Sequence, residues 1–211
     1  MEKNEIKAVL FDMDGVLIDA KDWHYEALNK ALELFGMEIS RYDHLSTFDG
    51  LPTKVKLEIL SKRYYLPKEL HSLINQMKQA YTIEMINTKC HPMFSHEYAL
   101  SMLHQKGYKI AVCSNSIRKT IELMMDRAEL TSYLDLIVSS EDVSKAKPDP
   151  EMYLNAIAKF GMKPKECLVV EDNPNGIQAG KASGAFVLEV ATVYDVNYEN
   201  ISRKIKEIEN D

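Results

Sequence analysis

The sequence predicts an α/β protein: a doubly wound parallel sheet interrupted after its first strand by a small all-helical insertion. Three observations predict it. Five short apolar, β-branched runs end in turn residues, at 6–11, 109–113, 134–138, 167–170 and 185–190, and each reads as a buried strand. Between the later runs, at 97–105, 117–128 and 152–160, apolar residues fall at i, i+3 and i+4, and strands alternating with helices give a parallel sheet covered on both faces. From Asp22 to about Lys89 that alternation stops, and three helical segments, 23–35, 54–65 and 68–87, follow one another.

Two units are therefore expected, a core from 1–19 with 90–211 and a helical unit from 20–89, with hinges at 19–22 and 88–92. Gly36, Gly107, Gly161 and Gly184 each follow a helical pattern, where a left-handed residue commonly ends a helix. Pro148, Pro150, Pro164 and Pro174 fall in loops or at helix starts, and none interrupts a predicted strand. A length of 211 residues, set against roughly 150 per domain, suits one domain with an insertion or two small ones.

Composition narrows the function. Hydrophobic residues make up 45% and charged residues 27%, a globular mix that excludes a long disordered chain. The net charge of −6 offers no positive field for a phosphate backbone, so nucleic acid is not an expected partner. Cys90, Cys113 and Cys167 are far apart and odd in number, which argues for free thiols in a reducing, cytoplasmic setting. The N-terminus carries Glu2, Lys3, Glu5 and Lys7, and its apolar run stops at Asp12, too short for a signal core or a membrane span.

Chemistry concentrates where the predicted strands end. The first runs into Asp12-Met13-Asp14-Gly15, and period-two geometry would send both carboxylates the same way. Two like charges so placed need a cation between them or a proton on one, although Asp-Gly alone also makes an ordinary turn. The second strand is followed by Ser114-Asn115-Ser116, donors suited to an anion and equally to a helix cap. The third leads to Lys147-Pro148 and the fourth to Glu171-Asp172-Asn173-Pro174-Asn175-Gly176. Ligands of open parallel sheets bind beyond the carboxyl ends of the strands. There, acidic oxygens, hydroxyl and amide donors and one lysine together suit phosphate chemistry on Mg²⁺.

In their order and spacing these segments resemble the haloacid dehalogenase superfamily of phosphohydrolases, in the β-phosphoglucomutase-like subfamily with a small helical cap inserted after the first motif. Residues 12–19 resemble its first motif, Ser114 its second, Lys147 its third and Glu171-Asp172 its fourth. The resemblance implies that Asp12 is a nucleophile that becomes phosphorylated and Asp14 a general acid and base. It implies Mg²⁺ on the Asp12 carboxylate, the Asp14 backbone carbonyl and Asp172, with Glu171 a direct or water-mediated ligand. Ser114, Asn115 and Lys147 would hold the phosphoryl group of a small phosphorylated metabolite. His24 matches a cap histidine of the mutase-like members that couples cap closure to the general acid, and an ordinary surface histidine would look the same. Ala20 stands where mutases place a hydroxyl residue, and the loop 49–54 lacks the arginine they use for a second phosphate, so phosphatase is expected ahead of mutase. Three other readings fit less well. A receiver domain places its aspartate after a middle strand, a dehalogenase needs neither Asp14 nor the metal-binding acids, and a catalytically dead module has no need of competent residues at every motif.

Overall fold

The computed structural model of the protein describes residues 5–210; Glu2 and Lys3 of the charged N-terminal run lie outside the described residues. Five strands, β1 (Ala8–Phe11), β2 (Lys109–Cys113), β3 (Leu136–Val138), β4 (Cys167–Glu171) and β5 (Phe186–Glu189), form one sheet in the order β3-β2-β1-β4-β5. Every pair is parallel, and Phe11 at the end of β1 lies between Val112 and Val170. All four residues of β1 are buried, as a central strand covered on both faces requires. β3 starts two residues later than its apolar run because Asp135 makes the pairing partly with its side chain, accepting from the Ile110 N–H through Oδ2 at 2.9 Å.

The chain divides into two compact units, one holding the residues up to Asp19 and from His91 onward, the other Ala20–Cys90. The second unit contains α1 (Lys21–Glu33), α2 (Arg41–Asp43) running into a π-helical turn (His44–Phe48), α3 (Thr53–Tyr64), a 3₁₀ turn (Lys68–Leu70) and α4 (His71–Lys89). Leu28, Leu32, Ile39, Phe48, Leu57, Leu60 and Ile74 form its core. Its 41–48 segment was not among the three expected helical segments. There the Ser40 hydroxyl accepts from the Asp43 N–H at 3.0 Å, a helix cap, and Phe48 anchors the turn at 1% exposure.

In the first unit the sheet is covered by α5 (Phe94–Gln105), α6 (Arg118–Arg127), α7 (Glu151–Lys159), α8 (Pro174–Ala182) and α9 (Tyr198–Asn210). Ala8, Leu10, Ala111, Cys113 and Val169 pack with Met152, Tyr153 and Ala156 of α7 and Ala179 of α8. The alternate residues Val9, Phe11, Ile110, Val112 and Leu168 are equally buried, so the period-two pattern fills both faces. Helices α8 and α9 were not among the predicted elements. Gly180 of α8 sits where an added Cβ would lie 3.1 Å from Val169 and Val187, so its small size lets the helix approach the sheet. Ile201, Ile205 and Ile208 of α9 are buried, a spacing of four and three that carried the helical signal.

Candidate active site

The first carboxylate follows directly from the sheet. Asp12 continues the β1 ladder, its N–H donating to the Val170 carbonyl at 3.0 Å, and then the chain turns sharply. The Met13 carbonyl accepts from Leu17 and Ile18, both at 2.9 Å, and the Gly15 N–H donates to the Ile18 carbonyl at 2.7 Å. Gly15 has φ 90°, a left-handed conformation that explains the glycine. Asp14 is therefore placed by this turn and not by the strand period expected for it. Its Oδ2 lies 3.4 Å from the Ser116 hydroxyl.

From the neighbouring strand ends come the donors. The Ser114 N–H donates to the Val138 carbonyl at 3.0 Å, and its buried hydroxyl accepts from the Ser116 N–H at 3.1 Å. Asn115 Oδ1 accepts from the Lys147 N–H at 3.2 Å, which ties the loop after β2 to the loop after β3. Helix α6 starts only at Arg118, so these residues shape a turn before the helix and do not cap it.

Lys147, 4% exposed, precedes a cis bond to Pro148. Its ammonium donates to Asp12 Oδ1 at 2.6 Å, to Glu171 Oε1 at 2.7 Å and to the Cys113 carbonyl at 2.8 Å, which uses all three of its N–H donors. Burial alone would lower the pKa of this amine; Asp12 and Glu171 outweigh it and hold the lysine charged. The Asp12 carboxyl is pushed well above the usual range by burial, with Glu171, Asp14 and Asp172 adding to the shift and Lys147 opposing it. Burial likewise pushes the Cys113 thiol up to about 12, so it is no nucleophile at neutral pH.

Two carboxylates, Asp12 and Glu171, thus share one ammonium, with Asp14 and Asp172 near enough to Asp12 to raise its pKa further. Oxygens of Asp12, Glu171 and Asp172 lie within 4.8 Å of one another, and an all-oxygen acidic set suits a hard divalent cation. The site residues named from the sequence that lie in the first unit are brought together here. His24 belongs to α1 in the helical unit, where its Nδ1 lies 3.1 Å from Lys78 Nζ.

Tyr153 and Gly176 were not among the site residues named from the sequence. Tyr153 looked like one more apolar position of α7, yet its hydroxyl donates to Glu171 Oε1 at 2.7 Å. Gly176 closes the polar segment after β4, and an added Cβ there would stand 1.7 Å from that same oxygen. A tyrosine in an otherwise aliphatic stripe is the signal that was available, since a buried hydroxyl needs a partner.

Known proteins agree with this reading of the fold. A family model described as haloacid dehalogenase-like hydrolase matches residues 9–190. A phosphoglycolate phosphatase of Aquifex aeolicus is 31% identical over 180 residues, covering 85% of this chain and 82% of that one. A putative β-phosphoglucomutase from Bacteroides vulgatus superposes with a TM-score of 0.78 at 27% identity, over 100% of this chain and 93% of that one. The crystal structure of β-phosphoglucomutase from Clostridium difficile matches in fold with a TM-score of 0.82 at 24% identity, over 96% and 98% of the two chains. With acids and lysine gathered at the carboxyl edge of a β3-β2-β1-β4-β5 sheet and a helical unit inserted after β1, the chain belongs to the haloacid dehalogenase-like hydrolases.

Proposed function

We propose that this chain is a Mg²⁺-dependent phosphohydrolase that cleaves a small phosphomonoester through an aspartyl-phosphate on Asp12. The observation that carries the reading is the buried Lys147 ammonium, held 2.6 Å from Asp12 Oδ1, beside acidic oxygens suited to a divalent cation. Asp12, the Asp14 carbonyl and Asp172 would hold Mg²⁺, with Glu171 as a fourth, direct or water-mediated contributor. When bound, Mg²⁺ offsets the negative charge of nucleophile and phosphoryl group.

The Asp12 carboxylate attacks phosphorus as the bond from phosphorus to the leaving oxygen breaks, and Asp14 delivers its proton to that oxygen. Asp14 then takes a proton from water, which attacks the phosphorus, breaks the bond to Asp12 and releases inorganic phosphate. Splitting hydrolysis in this way replaces one hard displacement by two easier ones. Ser114 and Asn115 orient the phosphoryl oxygens, and Lys147 opposes the upward pull of burial and the neighbouring acids on the Asp12 carboxyl. The relatives named above include a phosphatase and a putative mutase. Ala20 and the arginine-free loop 49–54 favour the phosphatase. Among the described residues no helix is long and apolar enough to cross a membrane, and the three cysteines are free and buried, which fits a cytoplasmic enzyme of small metabolites.

Three outcomes test this reading. Given β-glucose 1-phosphate, the enzyme should release inorganic phosphate and form little glucose 6-phosphate; rapid isomerisation dependent on a bisphosphate primer would instead identify a mutase. Phosphate release should require Mg²⁺ and be inhibited by Ca²⁺, which prefers more ligands in looser geometry, and full activity after exhaustive chelation would sink the metal requirement. Asp14→Asn should slow hydrolysis of an alkyl phosphate about 10²-fold, the scale of one general acid. Its first step should lose less with an aryl phosphate, whose leaving group departs without a proton. Equal first-step losses for the two leaving groups, measured by rapid quench, would remove Asp14 from the acid role.

A further inference from the structure

Of the side chains around Glu171, the one with no role so far is Tyr153. It is fully buried on α7, among residues that would accept a phenylalanine equally well: Leu10, Val138, Ala156 and Val169 belong to the same cluster. A hydroxyl placed there costs free energy unless it is bonded. It is bonded to a carboxylate, at 2.7 Å from Glu171 Oε1. The face of the same ring lies 4.6 Å from Lys147 Nζ, so one side chain touches both members of the ion pair. Glu171 Oε2 accepts from the backbone N–H of Asp172 at 3.1 Å and of Asn173 at 3.4 Å. Gly176 leaves the room, since its added Cβ would meet both carboxylate oxygens within 2.3 Å. The carboxylate therefore sits in a fitted cradle, and Tyr153 supplies the donor on the side facing Lys147.

We infer that Tyr153 is a positioning residue: its hydroxyl and ring face hold the Glu171 carboxylate and the Lys147 ammonium in register, and through them order the acidic cluster that receives the cation. This rests on the assignment of that cluster as the Mg²⁺ site of a phosphohydrolase. Partners that orient metal-binding carboxylates typically change metal affinity or activity by about 10–100-fold when removed.

Tyr153→Phe keeps the ring over Lys147 and deletes only the hydroxyl, so the core is not emptied. In calorimetric titrations of the substrate-free protein, its Mg²⁺ dissociation constant should rise about tenfold. On the best phosphate ester found, kcat should fall about tenfold while KM stays within twofold. In a Glu171→Gln background, the same change should move the Mg²⁺ constant by less than twofold, because the hydroxyl acts through that carboxylate. Gly176→Ala, which pushes on the carboxylate from the other side, should weaken Mg²⁺ in the same direction. A Tyr153→Phe protein that binds Mg²⁺ as wild type does overturns the inference, as does an equal loss in both backgrounds or a wild-type chain that binds no Mg²⁺. A hydroxyl-dependent Mg²⁺ affinity in a protein that hydrolyses no phosphate ester would leave Tyr153 assigned and the phosphohydrolase reading refuted.

Discussion

Asp12→Asn is expected to reduce phosphate release by about 10³-fold or more, on the scale of nucleophile deletions, and to yield no phosphorylated peptide in quenched samples. The variant should also melt higher than wild type in Mg²⁺-free buffer. The sign follows from the position of the carboxyl, which burial and three neighbouring acids hold well above its ordinary pKa. Below the ordinary value both folded and unfolded chains are protonated there and nothing is lost. As pH rises through the window up to the folded value, the unfolded chain ionises first and folding is penalised. Asparagine removes that penalty, whereas Mg²⁺ should favour only the wild type. Mass spectrometry of the peptide containing Asp12 and a thermal scan with and without Mg²⁺ check both halves. An adduct on Asp14, or a variant less stable than wild type without metal, would overturn the assignment.

Lys147→Met should be the most damaging single change to stability. It strands Asp12 and Glu171, whose side chains are 13% and 1% exposed, without the ammonium they share. Removing one partner of a buried ion pair costs about 3–5 kcal/mol. For a chain of this size that lowers Tm on the order of 10 °C. Activity should vanish with it. Mildly acidic buffer should recover part of the loss, because protonated acids no longer repel. A Tm within 2 °C of wild type, a margin of roughly 1 kcal/mol, would mean the ion pair is not what holds these loops together.

The fold was legible in the sequence wherever a single physical rule decided it. The apolar run at 109–113 matches β2 residue for residue, because Cys113 ends the apolar residues and polar turn residues follow. Helix α8 was illegible for the opposite reason. Its glycines serve close contacts with Glu171 and with Val169 and Val187, and a contact between distant residues leaves no local periodicity. The site divides in the same way. Asp12, Lys147, Glu171 and Asp172 announce themselves as polar residues directly after apolar runs or beside a proline. Tyr153 and Gly176 act from inside helices, where the local pattern assigns them to packing.

The order of the strands has a consequence for synthesis of the chain. β1 is the middle strand, yet Ala8 pairs with Lys109 and with Cys167, so neither neighbour exists until roughly a hundred further residues have been made. At about 5–20 residues per second, Ala8–Phe11 therefore waits some 5–20 s with both edges open, while the contiguous unit Ala20–Cys90 is already complete enough to fold on local contacts. A short apolar strand left in that state is an aggregation hazard. Lys7 on one side and Asp12 and Asp14 on the other place charges at both ends of it. The carboxylates assigned to chemistry in the finished protein would thus serve first as gatekeepers of the nascent one.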